Sequence, residues 1–112
     1  MPVRHVVMFG VKEEATEEQL QTLREGLLSL PQKIEAIKGH ELGFDLKLPS
    51  GQSHPAGKNR ACMWTADFDS EADYEAYAAH AAHIEVINTC IKPIIEPGTR
   101  AAIQYRIPAS NL

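Results

Sequence analysis

Hydrophobic residues recur with a period of two in four segments of the chain. These segments, predicted as strands, are residues 3–11, 40–48, 60–68 and 99–107. The first and third are apolar on both faces, which is typical of central strands covered on both sides. The second and fourth alternate apolar with polar residues, which is typical of edge strands with one wet face.

Between the first two predicted strands, apolar residues recur with the period of an α-helix. Leucines at 20, 23, 27 and 30, followed by Ile34, form one apolar stripe. Thr16 and Gln19 have the spacing of a capping box, so we expect the helix to begin there. Pro31 should kink or end this helix near Leu30, because proline lacks the N–H that an interior helical residue donates.

A second helix is predicted after Ser70, a favoured N-cap residue, and its apolar stripe continues as far as Ile94. It carries the densest polar chemistry of the chain, the stretch Tyr77-Ala-Ala-His80-Ala-Ala-His83. The small alanine spacers leave room beside the polar groups. That suits a pocket, and it equally suits a close contact between helix and sheet.

The element order β-α-β-β-α-β predicts an α+β, ferredoxin-like fold. Its four-stranded antiparallel sheet should have the spatial order 4-1-3-2, with the two-sided strands in the centre. Right-handed crossovers put both helices on one face, so the other face would expose Val6, Met8 and one row of the third strand. An apolar patch of this kind needs a cover, and we predict a homodimer through the open sheet face.

Length and charge narrow the classes of function. The 112 residues are predicted to form a single domain, 1–112. The net charge is −4 and the basic residues are scattered singly, so no nucleic-acid partner is expected. No apolar run reaches the roughly 20 residues that span a bilayer, so we expect no membrane partner. The chain starts directly with a strand pattern, and we therefore expect a cytoplasmic location. Cys62 and Cys90 lack metal-site spacing and are expected to be buried free thiols, and no metal or cofactor is predicted.

Three stretches resemble the stress-responsive dimeric α/β-barrel (Dabb) family. They are Arg-His-Val-Val-Met-Phe at 4–9, the segment 68–83 with its Tyr-x-x-His-x-x-His, and Ile-Lys-Pro-Ile-Ile-Glu at 91–96. The similarity extends from residue 3 to residue 107. It implies a ferredoxin-like protomer whose sheet faces that of its twin in a dimeric α/β barrel. Most members of that family have no known activity.

One plant member of the family, olivetolic acid cyclase, closes a polyketide ring without a cofactor. The resemblance implies that Tyr77 and His83 match its catalytic pair and that His5 matches a pocket histidine, whereas Cys62 stands where the cyclase has another. The family usually reads His-Pro-x-His at 80–83, and Ala81 replaces that proline here. Without the breaker we expect a straight helix, in which side chains six residues apart point about 120° away from each other.

The predicted pocket wall comprises Val7, Phe9, Trp64, His80 and Ile84. Three functions stay open. The first is a family member of unassigned activity that holds a small apolar or carbonyl ligand. The second is a cofactor-free cyclase or isomerase acting on a polyketide-like carbonyl, with His83 or His5 as the catalytic base and Tyr77 as the donor to the enolate, and the third is a non-catalytic stress-response protein. Each histidine and tyrosine is also compatible with a purely structural role in the core. The loop at 49–59 is expected to be a hairpin loop or a lid, and the tail 108–112 to be loose.

Overall fold

One antiparallel sheet organises the protein. The computed structural model describes residues 1–52 and 59–108, and in that part of the chain the strands are β1 (Val3–Phe9), β2 (Gly39–Phe44), β3 (Cys62–Phe68) and β4 (Ala101–Arg106). The order β2-β3-β1-β4 confirms the predicted ferredoxin-like sheet, with β1 and β3 in the centre. Most of the predicted hairpin loop, 53–58, and the end of the tail, 109–112, lie outside the described residues.

The strands are shorter than the hydrophobic pattern predicted. The clearest case is β2, which ends at Phe44, although the alternation of leucines continues to Leu48. Beyond the strand Leu46 is 79% exposed, and a short 3₁₀ helix follows at Pro49–Gln52. Lys47 has a φ of 57°, which is incompatible with a strand that continues to Leu48.

Helix α1 (Glu17–Lys33) begins as predicted with a complete capping box. The Thr16 hydroxyl accepts from the Gln19 amide at 3.1 Å, and the Gln19 side chain accepts from the Thr16 amide at 2.9 Å. The predicted end near Leu30 is wrong, because Pro31 lies inside the last turn and the helix continues to Lys33. At that position proline removes one backbone donor close to the helix end, and the helix tolerates the loss.

The second helical region consists of three segments instead of the predicted continuous helix. Helix α2 (Glu71–Ala79) is capped by Ser70 as expected, helix α3 (Ala81–Val86) follows, and a π-helical segment covers Ile87–Ile91. The break falls at His80, whose backbone is extended at φ −67° and ψ 137°. In the absence of proline, a side-chain cap accompanies this break: His80 Nδ1 accepts from the Ala82 amide.

Alternation along the strands separates two faces of the sheet. Beneath the helices are the buried residues Val3, His5, Val7 and Phe9 of β1 and Cys62, Trp64, Ala66 and Phe68 of β3. The opposite face carries Val6 and Met8, as predicted. The apolar row of β4 lies on this open face too, because Ile103 pairs with Val6, and Ile103 is 58% exposed. The polar row of β4, which includes Gln104, therefore lies on the helix side.

Close packing joins the helices to one another on the covered face. A Cβ atom at Gly26 of α1 would lie only 2.6 Å from the Cys90 sulfur, so a glycine is needed where α1 approaches the π-helical segment. Cys62 and Cys90 are both free and buried, which confirms the prediction for the thiols. Within 1–52 and 59–108 none of the helices has the length and hydropathy needed to cross a bilayer.

Candidate active site

A cavity of about 280 Å³ lies between the sheet and the helices. His5, Tyr77 and His83 all line it, together with the predicted wall residues Val7, Phe9 and Trp64. The remaining lining residues are Leu27, Tyr74, Ile87, Ile91, Lys92, Ile95 and Arg100. The wall is therefore mostly apolar, with a few polar groups from β1, α2 and α3, which is the usual composition of a small-molecule pocket.

The break at His80 is what brings Tyr77 and His83 together. In a continuous helix the Ala78 carbonyl would accept from the Ala82 amide. Here the Ala82 amide donates to His80 Nδ1 at 3.0 Å, and the Ala78 oxygen is bonded at 3.1 Å to His83 Nδ1. The ring centroids of Tyr77 and His83 are consequently 4.3 Å apart. The expected divergence of about 120° is wrong, because it assumed a straight helix.

The bond to Ala78 fixes the tautomer of His83. A carbonyl oxygen can only accept, so the neutral ring must carry its proton on Nδ1, which leaves the lone pair on Nε2. Burial lowers the pKa of His83; the Ala78 bond opposes this shift, and the charges of Arg100 and His80 add to it. His83 is therefore a neutral imidazole at pH 7 with a basic nitrogen available.

Tyr77 supplies a buried hydroxyl next to this base. Its side chain is 1% exposed, and its oxygen accepts from Trp64 Nε1 at 3.1 Å. The indole is a donor only, so the hydroxyl proton of Tyr77 remains free for another acceptor. Burial raises the pKa of Tyr77 to about 12, with the Trp64 bond opposing the shift. The hydroxyl therefore stays protonated at neutral pH and acts as a donor.

His5 stands on the sheet side of the cavity. Its ring is 4% exposed, and Gln104 Nε2 of β4 lies 2.9 Å from His5 Nδ1. With the amide donating, the neutral ring carries its own proton on Nε2. Burial lowers the pKa of His5 to about 4, and the charges of Arg100 and His83 act in the same direction. His5 is thus a second neutral group, and its centroid is 6.0 Å from that of Tyr77.

Two residues predicted for the wall lie elsewhere. Ile84 is 45% exposed and does not line the cavity, and His80 lies on the surface, where it caps α3. Both predictions are wrong for the same reason: the break at His80 reorients α3 relative to α2. Cys62 is buried outside the lining of the cavity, and burial raises its pKa to about 12.

Several lining residues were missed by sequence reasoning. Ile87, Ile91 and Ile95 recur every four residues, and this spacing was the available signal for their shared wall. Arg100 gave no local signal, because strand pairing brings it to the cavity from far along the chain. Among the residues that the structure describes, no group of three or more His, Cys, Asp or Glu side chains is arranged to hold a metal ion.

Comparison with known proteins agrees with this architecture. The family model of the stress responsive A/B barrel domain (Dabb) matches residues 3–107. The chain is 28% identical over 87 residues to the stress-response A/B barrel domain-containing protein HS1 of Arabidopsis thaliana, a match that covers 75% of this chain and 72% of that protein.

Solved structures extend the comparison to three dimensions. A dimeric ferredoxin-like protein of unknown function from Thermobifida fusca is similar with a TM-score of 0.78 and 28% identity, over 96% of this chain and 92% of that one. The hydroxynitrile lyase from Passiflora edulis has a TM-score of 0.80 at 20% identity, over 97% and 95% of the two chains. At that identity the likeness to the lyase shows the fold alone.

Proposed function

Because the chain belongs to the stress responsive A/B barrel domain family, we propose that its pocket serves a cofactor-free enzyme that moves a proton on a small carbonyl compound. The observation that carries this proposal is the tautomer of His83. Its Nδ1–H is held by the Ala78 carbonyl, so a basic Nε2 is available in an apolar cavity beside a protonated Tyr77.

The proposed reaction uses His83 as the base and Tyr77 as the acid partner. His83 Nε2 takes a proton from the carbon next to the carbonyl, and the electron pair of that C–H bond moves to form an enolate. The Tyr77 hydroxyl donates a hydrogen bond to the developing enolate oxygen, and His5 supplies a second donor on the sheet side. Return of the proton to the opposite face of that carbon, or to another carbon of the enolate system, gives isomerisation. Alternatively, the enolate carbon attacks a second carbonyl of the same molecule, the electron pair of that C=O bond moves to its oxygen, and this alkoxide takes the proton back from His83, which completes ring closure.

Burial supports these roles energetically. A base works best when its neutral form dominates at the operating pH, and burial lowers the pKa of His83 towards that state. The hydroxyl and imidazole groups act in a cavity whose wall is mostly apolar, where hydrogen bonds to developing charge are stronger than in water. A non-catalytic protein of the same family would use the same groups to hold a carbonyl ligand without turning it over.

Hydrogen–deuterium exchange at carbon distinguishes the two functions. The apolar ketone 4-phenylbutan-2-one, dissolved in D₂O at pH 7, should lose its proton signals next to the carbonyl faster when the protein is present. His83→Gln should slow this exchange by about 10²–10⁴-fold, because it removes the base. Tyr77→Phe should slow it by about 10²-fold, because it removes the donor to the enolate.

Matched controls come from residues of the same type outside the cavity. Tyr105→Phe changes a tyrosine of the open face and should exchange the ketone at the wild-type rate; His40→Gln changes an exposed histidine whose ring is 5.8 Å from that of Trp64, so it shows how far a substitution beside the wall, without loss of the base, affects the exchange. If the ketone binds but its exchange is no faster than in buffer, the protein is a binding protein and the proposed chemistry is wrong. If His83→Gln exchanges as fast as wild type, His83 is not the base.

We also propose that two copies pair through their open sheet faces. The exposed row includes Met8 at 42% and Ile103 at 58%, and no helix covers it within the described part of the chain. Similar structures from Thermobifida fusca and Bacteroides fragilis are described as dimeric. Because the cavity lies on the opposite face, each protomer would keep its own complete pocket.

A further inference from the structure

Two basic side chains line the otherwise apolar cavity. Lys92 follows the π-helical segment and Arg100 directly precedes β4, and both are exposed to solvent while also lining the cavity. They therefore stand where the cavity meets solvent. The whole chain has a net charge of −4, so a pair of cations at the entrance is opposite in sign to the rest of the protein.

In the part of the chain that the structure describes, no acidic side chain lines the cavity beside these two cations. None of the lining residues is Asp or Glu, and within 1–52 and 59–108 neither Lys92 nor Arg100 forms an ion pair. Glu96 lies between them in sequence, but its carboxylate oxygen is beside Gly10, outside the lining. An uncompensated pair of cations at a low-dielectric opening attracts anions more strongly than the same charges on an open surface.

The charge of Arg100 also reaches the buried groups. Burial is the main cause that lowers the pKa of His5 and of His83, and Arg100 adds to the lowering in both cases. No carboxylate acts on either ring.

We propose that the pocket selects a small apolar compound that carries a carboxylate, with Arg100 and Lys92 holding that carboxylate at the entrance. This inference rests on the proposed function, because it names the ligand class of the same pocket. The planar guanidinium matches the geometry of a carboxylate, and the lysine adds a point charge. The apolar body of the ligand packs against the isoleucines and Trp64, which line the cavity of about 280 Å³.

Calorimetric titration with a matched pair of ligands tests this inference. The probes are 3-phenylpropanoate and its neutral counterpart 3-phenylpropanamide, which share shape and apolar body. Wild-type protein should bind the carboxylate about tenfold more tightly than the amide in low salt, and the difference should shrink in high salt. In the double variant Arg100→Gln with Lys92→Met, the preference for the carboxylate over the amide should fall below about twofold. The affinity for the amide should stay unchanged, which also shows that the variant is folded.

The control is Lys38→Gln, which removes an exposed lysine that does not line the cavity and should leave the preference intact. Equal affinity of wild type for the two probes would overturn the inference and leave the proposed pocket standing. A preference that survives in the double variant would overturn it as well. If wild type binds neither probe but accelerates the exchange of 4-phenylbutan-2-one, the inference alone is wrong, and if that exchange is also no faster than in buffer, the proposed function is wrong as well.

Discussion

Acid should destabilise this protein through the buried histidine of its central strand. His5 is 4% exposed, and burial lowers its pKa from the ordinary 6.5 to about 4. The unfolded chain, in which the ring is solvated, takes up the proton at a higher pH than the folded chain. The stability contributed by the neutral, buried ring is therefore complete above about pH 6.5 and is lost as the pH falls towards 4.

The size of this effect follows from the two proton affinities. A tenfold difference in affinity corresponds to about 1.4 kcal/mol, so a pKa of about 4 in place of 6.5 corresponds to about 3 kcal/mol. That is a large share of the 5–15 kcal/mol typical of a folded domain. Acidification alone should thus bring the protein close to its unfolding transition.

Urea unfolding between pH 7.5 and pH 4, at one fixed protein concentration, measures the effect. His5→Gln stays neutral throughout, so the difference in unfolding free energy between wild type and this variant should shrink by about 3 kcal/mol over that range. Contributions from groups that do not interact with His5 occur in both proteins and cancel, whereas the charge of His83, which lowers the pKa of His5, is part of the measured difference. The control is His40→Gln, a substitution at an exposed histidine, whose unfolding curve should follow that of wild type. Parallel curves for wild type and His5→Gln would refute the reasoning.

Three further predictions concern the helix break, the open face and the thiols. Ala81→Pro should raise the free energy of unfolding by about 0.4–1 kcal/mol. Ala81 is the first residue of α3, and His80 already has the ψ of 137° that a following proline requires. A variant that is less stable than wild type in urea would contradict this. Met8→Asp should halve the mass seen by light scattering if the open faces pair, whereas an unchanged mass would exclude Met8 from the interface. Cys62, whose pKa burial raises to about 12, should react with a thiol reagent far more slowly in the native protein than in urea, and equal rates would show that it is accessible.

The sheet and the helix starts were readable from the sequence because local signals decide them. The strands that are apolar on both faces lie in the centre of the sheet, and those with one polar face lie at its edges. Thr16 and Ser70 each cap a helix through a residue three positions further along the chain. Alternation alone did not say which row of β4 faces the helices. That choice depends on its pairing with β1, which puts Gln104 beside His5.

The break at His80 could not be predicted from local sequence. It results from a competition in which His80 Nδ1 replaces the Ala78 carbonyl as the acceptor for the Ala82 amide. The released carbonyl is then used by His83, whose ring packs against Tyr77. Each of these contacts depends on the others, and alanine-rich sequence favours an unbroken helix in their absence. The convergence of the candidate catalytic groups was hidden for the same reason.

The alternation of β1 makes this strand intolerant of any change in length. His5, Val7 and Phe9 face the cavity and core, while Val6 and Met8 face the other side of the sheet. Deleting or inserting one residue within the strand would exchange the two rows downstream of the change. A methionine would then occupy the cavity wall, and a phenylalanine would face solvent. Substitutions in β1 can therefore adjust the pocket or the open face separately, but a change of register alters both surfaces at once.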